Sequence, residues 1–190
     1  MLSVIPRGIF SLLLPFTAIL ALAVAVLGIV LLMVKNKSFA QRCTIVASLF
    51  CVVIAGISWV FNMGWLRFIM TFLLIPFAHA ILFLITVFST VKYVDKSAKI
   101  KIINLLFMLT YLMFYVFLPD GGDVGGLYFF FGIIKNNILC DFAYYIASAA
   151  FAGNIVLFVL QLVAIRNFKR TNRKNDEFID VEYVVSDEEN

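Results

Sequence analysis

Long apolar runs separated by short polar stretches dominate the chain. Residues 9–34 (IFSLLLPFTAILALAVAVLGIVLLMV) carry no charge. Residues 43–62 follow a short basic turn, and residues 68–91 contain His79 as their one ionisable group. Residues 102–118 form the shortest run, and residues 138–165 hold Asp141 near their start and Asn154 inside. A hydrocarbon core about 30 Å thick is crossed by roughly 20 apolar residues in a helix. Within it, an open sheet edge would leave backbone N–H and C=O groups unpaired. The pattern predicts an all-α polytopic membrane helical bundle with five transmembrane helices over those ranges. Pro15 and Pro76 fall inside runs and are expected to kink them.

The first run also resembles a signal peptide, with Arg7 as a thin basic start and Ala21-Leu22-Ala23 as a cleavage-like triplet. Its apolar stretch continues to Val34, well past an ordinary signal core. Cleavage would also put Lys35, Lys37 and Arg42 outside the cell. The reading adopted is an uncleaved span.

Composition agrees with a lipid solvent. Hydrophobic residues make up 64 % of the chain and charged residues 14 %, with 21 phenylalanines. A water-soluble domain typically has about 45–50 % and about 25 %. That balance excludes a soluble enzyme and a nucleic-acid binder, and it is the opposite of a disordered chain.

Charge sets the expected orientation. All but Arg7, Arg67 and Lys135 of the 15 basic residues fall in the segments after spans one, three and five. Lysine and arginine concentrate on the cytoplasmic side, so the N-terminus is expected outside and the C-terminus in the cytoplasm, in the inner membrane of a bacterium. The sequon Asn36-Lys37-Ser38 would then face the cytoplasm and stay unmodified. Cys43, Cys51 and Cys140 fall at the inner face, within span two and near the outer face, so no disulfide is expected.

Ionisable and amide groups inside a bilayer are functional candidates, because burying them alone costs several kcal/mol. His79, Asn154 and Asp141 are the candidates here. His79 and Asn154 fall at similar depth, where a hydrogen bond between helices is expected. Ser58 with His79 raises the Ser-His dyad of an intramembrane protease. However, Gly56-Ile57-Ser58-Trp59 has no glycine after the serine, and the two residues differ in depth. Neither a catalytic set nor a metal or cofactor motif is present, so no enzyme activity and no cofactor are expected. Small residues spaced by four, Ala21/Ala25, Ser148/Ala152 and Ala149/Gly153, are expected to pack helices closely within the bundle.

The outer loop begins Pro119-Asp120-Gly121-Gly122-Asp123-Val124-Gly125-Gly126, a glycine-rich turn whose aspartates are expected to be solvated. The spacing lacks that of a calcium loop. It continues through Leu127, Tyr128, Phe129, Phe130 and Phe131, apolar but too short to cross, and expected at the interface or dipping into the bundle. Asp120, Asp123, Tyr128, Phe129, Phe130 and Phe131 are the outer-loop binding candidates. Trp59, Trp65 and Tyr128 are expected in an outer aromatic belt, and Tyr93 in an inner one.

Residues 166–190 form a basic-then-acidic cytoplasmic tail holding seven of the 11 acidic residues. Its basic part would meet anionic lipid. The stretch from Phe178 to Val185 reads as a solvated, disordered segment, or alternatively as a strand that adds to a partner's sheet.

The chain shows no internal repeat, and five spans do not divide into inverted halves of a transporter. These features favour a protein acting by contact inside the membrane, with the lipid bilayer and another membrane protein as partners. An immunity protein that recognises a membrane-inserting, pore-forming toxin is one such protein. A small transporter or channel subunit using His79, Asn154 and Asp141 is the alternative.

Overall fold

The computed structural model describes residues 35–121 and 126–188, with side chains up to Thr171. The expected span 9–34 and Asp123 lie outside the described residues. The described chain folds as helices α1 (Phe39–Phe61), α2 (Trp65–Phe72), α3 (Ile75–Thr90), α4 (Ala98–Phe117) and α5 (Asn137–Glu188), with a 3₁₀ turn at Val91–Tyr93. Among the described residues, four stretches are long and apolar enough to cross a membrane: Phe39–Phe61, Ile75–Tyr93, Ala98–Phe117 and Asn137–Thr171. Over its described residues this integral membrane protein is all-helical.

Polar residues at the run boundaries start the helices. Ser38 caps α1, its Oγ accepting from the Gln41 N–H at 3.2 Å, and Ser97 caps α4. Asn136 accepts the Leu139 N–H on its side-chain oxygen at 3.2 Å. Such caps satisfy donors that the first helical turn leaves free. Leu118 is extended before Pro119, which cannot continue a helix, and α4 stops there.

The stretch 68–91 is broken rather than kinked. Leu74 adopts a left-handed conformation at φ 57°, and α2 and α3 are separate helices on either side of it. Pro76 occupies the first turn of α3. Lacking an N–H, it cannot bond back to residue 72, but it fits a first turn, where that N–H would have no partner. The tail also departs from expectation, because the backbone of α5 remains helical to Glu188.

The helices are apolar on both sides. On α1, Ile45, Ser48, Cys51, Ala55, Ser58 and Trp59 are buried, whereas Val46, Phe50, Val53, Ile57 and Val60 are exposed. On α2 the arrangement is inverted relative to a soluble protein: Arg67 is buried while Trp65, Leu66, Phe68, Ile69 and Phe72 are exposed. Large apolar side chains exposed along every described span identify the surrounding medium as lipid.

α4 is the central helix, packed mainly on α5 and then on α1. Its Phe107, Tyr111, Phe114 and Tyr115 form the core with Trp59 and Phe83. The α5 seam consists of Cys140, Ala143, Ala147, Ala150, Asn154 and Gln161, all buried. The recurrence of three and four residues puts them on one face, and small residues allow close backbone approach. The expected pairs Ser148/Ala152 and Ala149/Gly153 do not form this seam. Ser148, Ala149 and Ala152 are exposed, because they lie round the helix from the alanine face. Ala21/Ala25 lie outside the described residues.

The two ends of the bundle differ in charge. Ser38 Oγ donates to Asp95 Oδ2 at 2.6 Å, and Tyr93 packs on Phe168 at 5.3 Å. These contacts gather the starts of α1 and α4, the turn after α3 and the far part of α5 at one end. The exposed basic residues Lys35, Lys37, Arg42, Lys92, Lys96, Lys99, Lys101, Arg166, Lys169 and Arg170 belong to those segments.

Close packing at the alanine seam gives a prediction. Ala147→Leu will destabilise the protein by about 1–3 kcal/mol through overpacking. Ala152→Leu, on the exposed face, will leave thermal unfolding in detergent unchanged.

Candidate functional site

At the end opposite the lysine-rich one, Arg67 holds three segments together. It is fully buried. Its Nη1 donates to Ser58 O at 2.7 Å, and its Nη2 to Tyr115 O at 3.0 Å and Leu118 O at 2.6 Å. Those carbonyls belong to the last turns of α1 and α4 and the residue that ends α4. Helix C-termini carry partial negative charge on unpaired carbonyls, so a cation between two of them is favourably placed. The guanidinium also lies 5.0 Å from the Trp59 ring. Only Nε of the guanidinium lacks an acceptor among the described residues. Burial lowers the pKa of Arg67 to about 10, against an upward pull from Asp120, and the group stays cationic at neutral pH.

Asp120 secures Arg67 from the other side. Its carboxylate accepts the N–H groups of Gly64 at 3.1 Å, Leu66 at 3.2 Å, Arg67 at 2.7 Å and Gly121 at 2.8 Å. It therefore caps α2 from a distant part of the chain. Gly64 permits the approach, since a Cβ there would lie 2.5 Å from the Asp120 carboxylate. The expectation that Asp120 is solvated is corrected: it is buried, and its oxygens are committed to backbone donors. This arrangement stabilises α2 and leaves little capacity for a ligand.

The aromatic loop folds back on this cap. Asp120 and Tyr128 exchange backbone hydrogen bonds at 3.0 and 2.9 Å, and Tyr128 donates its hydroxyl to Met63 O at 2.8 Å. Phe129 is buried against Phe117, Cys140 and Ala143. Phe130, Phe131 and Gly132 turn through left-handed conformations, at φ 51°, 59° and 75°. This conformation is costly for aromatic residues. It is held by Phe130 N–H on Val116 O at 3.2 Å and by Gly132 N–H on the Asn62 side chain. Tyr128 and Phe129 are therefore structural, whereas Leu127, Phe130 and Ile133 present apolar surface. Trp59, expected in the outer belt, is buried with Nε1 donating to Thr71 Oγ1 at 2.8 Å; Trp65 is exposed.

Between α3 and α5 the bundle opens into a groove of about 860 Å³, walled by residues such as Leu66, Leu82, Phe151 and Phe158 and floored by Phe107 and Phe114 of α4. His79 and Asn154 line it. His79 Nε2 lies 3.2 Å from Asn154 Oδ1, and its Nδ1 lies 3.0 Å from the Tyr115 hydroxyl. Asn154 Nδ2 donates to Phe107 O at 3.2 Å, which places the amide oxygen toward His79. In the arrangement that satisfies every atom, Nε2 carries the ring proton and Nδ1 accepts from Tyr115. The polar groups at mid-depth are thus paired with one another, and the groove offers an occupant a mostly apolar surface. Asp141 is exposed on α5 and does not line the groove, so the three intramembrane candidates do not converge. Ser58 donates to Tyr115 O at 2.9 Å and takes no part in a dyad.

A third polar cluster was missed in the sequence. Asn104 Nδ2 donates to Thr90 Oγ1 at 2.8 Å, and Gln161 bonds to the Asn104 side-chain oxygen. This joins α3, α4 and α5 nearer the basic end. Asn104 and Gln161 are polar residues within apolar runs, and the depth argument used for His79 and Asn154 would have paired them.

No family model matches this chain, and comparison with curated proteins and with solved structures likewise finds no match.

Asp120→Ala will leave several buried N–H groups unpaired and destabilise the fold by about 3 kcal/mol or more. Asp141→Asn, on an exposed side chain, will leave detergent-solubilised thermal stability unchanged.

Proposed function

We propose that this integral membrane protein acts by contact with another protein inside the bilayer, taking an apolar membrane-spanning segment of that partner into the groove between α3 and α5. The observation that carries this reading is the groove itself. It is large and apolar, and its His79 and Asn154 are already hydrogen-bonded to each other. An apolar helix gains close packing there while His79 and Asn154 keep their hydrogen bonds to each other. The exposed Leu127, Phe130 and Ile133 of the outer loop add a second apolar surface for a partner entering from that side.

The specific form of the proposal is an immunity protein in a bacterial inner membrane, recognising the inserting helices of a pore-forming toxin. Five spans, including residues 9–34, and a cytoplasmic C-terminus complete it. The charge pattern supports this orientation more strongly once Arg67 is set aside as buried, because only Arg7 and Lys135 then remain as basic residues assigned outside. The alternative of a transporter or channel subunit would need a polar path, and the described groove lining supplies His79, Asn154, Ser148 and the Tyr144 hydroxyl among apolar side chains.

The test is survival of toxin-sensitive cells expressing the chain, challenged with a panel of pore-forming bacterial toxins. Protection against at least one toxin is expected. Ala78→Trp, which fills the groove, is expected to abolish protection at unchanged protein level. A photo-crosslinker at Leu82 is expected to capture that toxin. Protection against none, protection unaffected by Ala78→Trp, or crosslinking at Leu82 only to residues 9–34 of the same chain would overturn the proposal.

A further inference from the structure

The basic end of the bundle holds a second cleft, of about 660 Å³. Lys35, Lys37, Lys92 and Lys169 line it, together with Tyr93. These lysines come from three separate places: the segment before α1, the turn after α3, and α5. Ile45 and Val91, both buried, form part of its floor. Lys92 Nζ lies 5.1 Å from the Tyr93 ring centroid, and that ring packs on Phe168. No acidic residue is among the described residues lining the cleft. The neighbouring Asp95 accepts a hydrogen bond from Ser38 instead.

Four lysines lining one cleft concentrate positive charge there, and an anion bound between them would offset their mutual repulsion. The apolar floor further defines that anion. Inorganic phosphate would leave the half-buried Phe88 and Ile165 of the cleft lining uncovered, whereas a phospholipid places a phosphate at the rim and an acyl stem against them. The cleft also lies at the end of the spans, at the level where headgroups begin. Basic pockets between membrane helices suit anionic headgroups for these reasons.

We propose that this cleft is a binding site for one anionic phospholipid, its phosphate held by Lys35, Lys37, Lys92 and Lys169. This goes beyond the diffuse attraction of a basic membrane face, because it assigns the binding to these lysines and not to Lys99 and Lys101, which belong to the same end but do not line the cleft.

The full chain, purified in a nonionic detergent, is titrated with phosphatidylglycerol, phosphatidylcholine or inorganic phosphate, and bound lipid is counted by native mass spectrometry. One phosphatidylglycerol is expected to be retained in preference to phosphatidylcholine, with inorganic phosphate failing to displace it at equal concentration. Lys92→Gln with Lys169→Gln will weaken retention roughly tenfold. Lys99→Gln with Lys101→Gln removes the same charge and will change it less than twofold. Should the Lys92/Lys169 variant melt earlier than the parent, Lys35→Gln with Lys37→Gln will give the same loss of lipid at parental stability. Equal weakening by cleft and control variants, equal retention of the two lipids, or displacement by inorganic phosphate would overturn the site.

Discussion

A buried guanidinium has no water to solvate it, and the end of this bundle opposite the lysine-rich one is built around satisfying one. Arg67 donates to carbonyls at the ends of α1 and α4, so it ties together helices that the chain does not connect directly. Its own helix is positioned by Asp120, which caps α2 through backbone N–H groups and belongs to the loop after α4. Arginine and aspartate thus contribute mainly by bonding to backbone groups. In a medium that cannot hydrogen-bond, those groups would otherwise be left unpaired. With α2 fixed, Leu66 is placed on the groove wall and the aromatic loop has Met63 and Asn62 to fold against.

The same constraint recurs at two further levels. His79, Tyr115 and Asn154 join α3, α4 and α5 midway along, and Thr90, Asn104 and Gln161 join the same helices nearer the basic end. Each cluster is polar inside and surrounded by apolar side chains that continue out to the lipid. Packing supplies the rest: the alanine seam of α5 brings its backbone close to α4, and that contact is the most extensive among the described helices. α3 and α5 touch little apart from these polar links, which is why a groove remains between them.

Much of this could be read from residue order. The apolar runs 43–62 and 102–118 located their helices to within about four residues, whereas 68–91 held two helices and the last helix continues past 165; the basic clusters identified one end of the bundle. Matching depths brought His79 to Asn154. What escaped was non-local. Arg67 stands just before an apolar run, where a solvated loop charge would also stand, and nothing nearby names Ser58 or Leu118 as its acceptors. Asp120 sits in a proline–glycine turn that normally exposes its side chain, and its role depends on a helix start more than fifty residues away. The break at Leu74 was half legible: Pro76 marked it, but the side chains alone did not distinguish a kink from two helices. The packing face of α5 was misread because small residues recur on two faces, and only contact with α4 selects the alanines.

The measurement that tests the membrane-spanning bundle most directly is nitroxide accessibility in lipid bilayers, with labels at Val53, Leu105 and Val156, each exposed and apolar on a different span. High collision rates with oxygen and low rates with a water-soluble nickel chelate are predicted at all three. Chelate access there equal to that at the exposed Lys96 would contradict a lipid-immersed bundle.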